Sequence, residues 1–102
     1  MEFDFRGDIL PDEYAEVMRY YGYKNNICPG DIRALTHKAA GEEIILHVDS
    51  DGGSLVAGTE IYSLLKGYKG AKKAHIRSRA ASSATVAIMA CDEITAESVS
   101  LV

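Results

Sequence analysis

The chain has 102 residues, the length of one small domain, and its 47% hydrophobic and 25% charged content excludes disordered, collagen-like and disulfide-scaffold classes. Lys and Arg number 11 against 15 Asp and Glu, a formal net charge of −4, so no basic nucleic-acid surface is expected. The largest basic cluster, Lys66, Lys69, Lys72 and Lys73 with Arg77 and Arg79 beyond it, reads as a solvated surface.

No stretch nears the ~18–20 apolar residues of a membrane span. The acidic start Met-Glu-Phe-Asp-Phe-Arg lacks the apolar core of a secretory leader, so a cytoplasmic protein is expected. Cys28 and Cys91 form no CxxC pair and read as reduced thiols. Neither has a His or second Cys at ligand spacing, and no metal or cofactor is expected.

In residues 2–7, Phe3 and Phe5 alternate with Glu2, Asp4 and Arg6, the period of a half-buried strand. Pro11 opens a helix with Asp12, Glu13 and Glu16 in its early turns, and Gly22 stops it. Tyr14, Val17, Met18 and Tyr21 recur along it at i, i+3, i+4 and i+7, the spacing of one helix face. Residues 23–28 read as a loop. Pro29-Gly30-Asp31 begins a second helix with Ile32, Leu35 and Ala39 on one face and Gly41 at its end.

Residues 43–48 (EIILHV) form an apolar, β-branched run of buried-strand length, followed by a tight loop over residues 49–54. A third helix places Ala57, Ile61, Leu64, Leu65 and Tyr68 on its buried face and ends at Gly70. Residues 73–78 are a strand, 79–81 a short turn, 82–91 a helix apolar nearly all round, and 93–97 a last short strand. A helix apolar on every side must be covered on every side, so this one is expected to be central. The alternation is a βαβ pattern with parallel strands, in a single α/β domain over residues 1–102.

Two features fall at the carboxyl ends of strands, where open α/β sheets place their sites. One is Gly52-Gly53; the other is Ala80-Ala81-Ser82-Ser83-Ala84, where a strand turns into a helix. A serine there can expose its hydroxyl while the helix N-terminus offers free N–H groups to an oxyanion. A glycine pair can bring another N–H close, since no Cβ blocks the approach. The alternative is that Ser82 only caps its own helix, and on that segment alone the cap is the stronger reading.

The two segments together, IILHVDSDGGSLVAGTEIYSLLKGYKG and HIRSRAASSATVAIMACDEI, resemble the Clp-type serine peptidases, most of all the Clp-like head-maturation proteases of phages and prophages. The likeness covers residues 43–97 and extends more loosely through LPDEYAEVMRYYGY. It implies the ββα superhelix shared with the crotonase group, here reaching only to the point before the catalytic His and handle region. It also implies Ser82 as nucleophile and the backbone N–H groups of Gly53 and Ser83 as oxyanion hole. Ser83 is the adjacent candidate for the nucleophile. Asp51 stands where the family usually has proline, adding a negative charge beside the hole.

The same resemblance implies a polypeptide substrate, capsid or scaffold protein among the choices, and homo-oligomeric rings; it leaves an ATPase partner open. In that family the histidine base and its orienting Asp come further along than Val102. The expectation is therefore an N-terminal part that lacks a complete triad and is inactive as given. His75 lies seven residues before Ser82 on the strand, too far at ~3.3 Å per residue. His47 reads as a satisfied core or interface histidine, and His37 belongs to a helix surface. Tyr14, Tyr20, Tyr21 and Tyr23 read as packing or a subunit contact, and Cys91 as an inert buried thiol. Asp49 and Asp51 are too few oxygen ligands for a cation site. Two rival functions remain: a shortened, non-catalytic homologue serving as an oligomerising or regulatory module, and a crotonase-type acyl-CoA enzyme.

Overall fold

The computed structural model describes residues 1–97, and the expectation that the chain stops short of a histidine base concerns residues 98–102, outside the described ones. The elements are β1 (Glu2–Ile9), α1 (Asp12–Tyr20), β2 (Asn26–Ile27), α2 (Pro29–Ala39), β3 (Ile44–Gly53), α3 (Leu55–Gly67), β4 (Lys72–Ala80), α4 (Ser83–Ile88) and β5 (Glu93–Ala96). The strands pair in parallel in the order β2-β1-β3-β4-β5. The expected α/β class with parallel strands is what the chain adopts.

The period of two in each strand sorts side chains between the faces. Phe5 and Ile9 of β1, Ile44, Leu46 and Val48 of β3, and Ala74 and Ile76 of β4 are buried on one face. Ile32, Leu35 and Ala39 of α2 and Ala57, Ile61 and Leu65 of α3 complete the core, as their spacing predicts. The other face presents Asp4, Arg6, His47, Asp49 and Arg77 around a single open depression. A parallel sheet with one charged face is uncommon, since such sheets are normally covered on both sides. Here the charges pair across strands, Arg6 with Asp49, Lys73 with Glu43 and Arg77 with Glu97.

Several expectations need correction. The loop predicted over residues 49–54 is largely strand, because β3 continues to Gly53 and β4 to Ala80. The continuation is irregular: β1 and β3 slip register between Arg6 and Asp8, and β3 and β4 between Val48 and Ser50. Residues 26–27 in the predicted loop pair with β1 at Asp8 and Ile9. The third helix ends at Gly67, not Gly70. The central helix is shorter, six residues in place of ten: Cys91 N–H turns back to Ile88 O and Asp92 bonds Lys72, which draws the chain into β5. Met89 at its end is exposed, so that helix is covered on most sides only.

Helix α1 stands apart. Its apolar stripe, read as packing or a subunit contact, faces solvent in this chain, and Ala15 is its only buried residue. The helix is tethered by polar groups. Arg19 makes a two-pronged pair with Asp31 at 2.6 and 3.1 Å and bonds the Asn26 amide oxygen at 2.8 Å, while Asp12 accepts from Gly30 N–H at 2.7 Å. Burial works against the Asp31 carboxylate, yet the Arg19 pair and the Cys28 N–H hold its pKa below the ordinary value. Because Val17 is open and Ile61 fully buried, Val17→Ser should change unfolding free energy by less than about 0.5 kcal/mol. Ile61→Ala should cost about 2–5 kcal/mol in the same urea titration, and equal losses at the two sites would contradict this packing.

Candidate functional site

The site grows out of the end of β3. Ser50 is buried, donates to Gly7 O at 2.6 Å and accepts from Gly52 N–H at 3.1 Å. Its own carbonyl accepts from Ala81 N–H at 3.1 Å. One serine thus ties together the irregularity of β1, the glycine pair after β3 and the turn after β4. Sequence reasoning passed over Ser50, since nothing in Asp-Ser-Asp-Gly-Gly signals that this hydroxyl is buried.

Gly52 has φ +97, and a Cβ there would lie 2.7 Å from Ala81 O, 2.9 Å from the Ser82 Cβ and 3.0 Å from Ser83 N. Only glycine fits a backbone pressed so closely on the serine turn. Gly53, the member of the pair expected in the oxyanion hole, turns toward β1: its added Cβ would meet Ile9 O at 2.4 Å. The structure therefore brings Gly52 against Ser82 and Ser83, a contact the sequence reading did not single out, with Gly53 the next residue along.

Ser82 stands between β4 and α4 with φ 55 and ψ −130, exposed, and its side chain makes no cap hydrogen bond. A helix cap adopts extended backbone and turns its oxygen onto the first N–H groups. Ser82 does neither, so the simple capping alternative is set aside. A non-glycine residue at positive φ costs on the order of 1–3 kcal/mol and persists only where the surroundings impose it. Such a strained strand-to-helix turn lifts a hydroxyl clear of the backbone.

Ser83 is the opposite case. It is 1% exposed, its hydroxyl has no hydrogen-bond partner among the described residues, and its Cβ sits where a Cβ on Gly58 would come within 2.9 Å. Its side chain is locked between α4 and α3, while its N–H belongs to the first turn of α4, which lacks helical acceptors.

The charge of Asp51 is matched by Arg79, whose guanidinium bonds the Asp51 carboxylate; that bond raises the Arg79 pKa. Asp49 lies 3.9 Å from Arg6. Both carboxylates are thus occupied by arginines, and no group of three metal-ligating side chains occurs among the described residues. Leu55 and Val56, at the start of α3 just beyond the glycine pair, leave apolar side chains exposed.

The histidines are engaged elsewhere. His47 Nε2 stands 2.5 Å from Glu2 Oε1, and Arg77 donates to its Nδ1 at 3.1 and 3.2 Å, which fixes the proton on Nε2. The His47 bond lowers the Glu2 pKa. His75 meets Thr95 Oγ1 at 2.6 Å and Glu97 at 3.1 Å. His37 is exposed on α2. Burial pushes the Cys91 thiol up to about 11, which leaves it protonated at neutral pH.

Parallel strands, a glycine pair at the carboxyl end of one and a strained serine turn at the end of its neighbour define an α/β protein built around a serine elbow. The chain belongs to the Clp protease family, whose profile matches residues 21–98. Its fold is similar to ClpP1 from Listeria monocytogenes, with a TM-score of 0.63 at 21% identity, covering 88% of this chain and 46% of that one. A point mutant of the same ClpP1 gives the same values. The chain thus spans about half the length of these structures. No curated protein sequence matches it.

If the turn holds Ser82 under strain, Ser82→Gly should be more stable than Ser82→Ala by about 1 kcal/mol, because glycine adopts positive φ freely. Equal denaturation midpoints for the two variants would mean the turn stores no strain.

Proposed function

We propose that the protein is a serine endopeptidase of the Clp type acting on polypeptide, with Ser82 as nucleophile and the N–H groups of Gly53 and Ser83 as its oxyanion hole. The observation that carries this reading is the conformation of Ser82: exposed, strained, free of capping duty and pressed against Gly52. A carbonyl attacked by Ser82 Oγ would develop its negative charge beside the first turn of α4, where Ala84 and Thr85 N–H donate to the Ala81 and Ser82 carbonyls and Ser83 N–H is the amide left to meet it. The bare backbone of Gly52 lets the glycine pair pack directly against that turn. Arg79 removes the objection that Asp51 would repel it.

Ser83 serves this chemistry through its backbone alone, since its hydroxyl is buried. His37, His47 and His75 are not the base; a base would come from residues beyond the described ones or from another subunit. A phage or prophage setting, with capsid or scaffold protein as substrate, is the finer version, supported by the likeness of both motif segments. A homo-oligomeric ring and a cytoplasmic location go with it; no helix among the described residues is long and apolar enough to cross a membrane.

A positioned base contributes typically 10²–10⁴-fold, so labelling of the chain by a fluorophosphonate should be slow and should accelerate on the order of tenfold with added imidazole. The mass-mapped label should fall on Ser82, vanish in Ser82→Ala and survive in Ser83→Ala. Label on Ser83, or none at Ser82 with imidazole present, would contradict the assignment.

A further inference from the structure

The outer face of α1 is apolar and uncovered by the rest of the described chain. Tyr14 is 63%, Val17 53%, Tyr20 82% and Tyr21 71% exposed. Residues three and four apart share a helix face, so Tyr14, Val17 and Tyr21 form one stripe, with Tyr20 and Glu13 along its edge. The helix is attached through the opposite side, by Arg19, Asp12 and Ala15, so the stripe contributes nothing to its attachment. The family match begins at residue 21, so α1 lies outside the matched region. At 150–250 Å² for a buried aromatic, this face offers on the order of 600 Å², close to the ~800 Å² per partner of a stable interface.

The same chain carries a surface of the matching kind. A groove of about 570 Å³ lies between the C-terminal end of α2 and α3, lined by Thr36, His37, Leu64, Tyr68 and Lys69 among others. Leu64 and Tyr68 are half-buried and give it an apolar floor. Lys38, Lys66 and Lys69 are exposed on these helices and at the end of α3, and none of them forms an ion pair among the described residues. Glu13 and Glu16 beside the α1 stripe are likewise exposed and without an ion pair among the described residues.

We infer that α1 of one copy docks in the α2–α3 groove of a second copy. The tyrosines and Val17 cover Leu64 and Tyr68, and Glu13 and Glu16 face Lys66 and Lys69. Pairing α1 with its own copy would leave Glu13 and Glu16 without a basic partner, so a contact between the two different faces is favoured over α1 against α1. Repeated head-to-tail contacts close into a ring or run on as a filament. This assembly names the faces behind the oligomer proposed above, yet does not depend on the chemistry at Ser82: Ser82→Ala should assemble like the native chain, so a failed peptidase reading leaves it standing.

Sedimentation velocity and light scattering test it. At about 100 μM, above the micromolar affinity of a weak interface of this size, the native chain should be multimeric. Val17→Glu with Tyr21→Glu should be monomeric, and so should Lys66→Glu with Lys69→Glu, each with unchanged far-ultraviolet circular dichroism. Mixed, the two variants should pair one to one, because each keeps one intact half. The native assembly should weaken in about 0.5 M salt, a reading that needs no variant. A monomeric native chain, salt-insensitive assembly, or a lysine variant that assembles like the native chain overturns the inference; the first of these leaves α1 to a different protein.

Discussion

The site hangs on the pressing of Gly52 onto the turn at Ala81–Ser83. With a Cβ on Gly52 falling within 3.0 Å of three atoms of that turn, the two segments can approach only through a bare backbone. That approach leaves Ser82 little choice of conformation and sends its side chain outward, while Ser83 is driven into the crevice beside Gly58. Ser50 secures the arrangement from below, with its hydroxyl shared between Gly7 and Gly52 and its carbonyl holding Ala81. A buried hydroxyl with both roles filled is costly to displace, because removing it strands a donor and an acceptor together.

The core elements were legible because their signals are strong and local. The run at residues 43–48 and the spacing of Ile32, Leu35 and Ala39 and of Ala57, Ile61 and Leu65 reflect burial against a sheet, and the structure buries those residues. The α1 stripe carries the same spacing and is exposed. Periodicity reports that a helix has an apolar face, and leaves open whether the face is covered by this chain or by another. The ends of β3 and β4 were read as loops because Asp, Ser and Gly are turn-formers, whereas the register slips beside Gly7 and Ser50 let the ladder continue through them.

The candidate site was legible in part. The serine turn and the glycine pair could be found as residues, because each punctuates a strand end. Which glycine meets the turn could not, since it depends on the +97° and +148° backbone angles of Gly52 and Gly53. The Asp51–Arg79 pair was also out of reach: Arg79 sits 28 residues away, and only the adjacency of β3 and β4 unites the two. Ser82 and Ser83, adjacent in the sequence, are told apart by burial and by the positive φ of Ser82.

The central claim is that the glycine pair and the first turn of α4 bind an oxyanion generated at Ser82. The most direct measurement is a crystal structure of the chain reacted with a peptide boronate. The account predicts boron bonded to Ser82 Oγ and one boronate oxygen within 2.7–3.1 Å of both Gly53 N and Ser83 N, the spacing expected of oxyanion-hole donors. Boron on another residue, or a boronate oxygen turned away from these two amides, would contradict it.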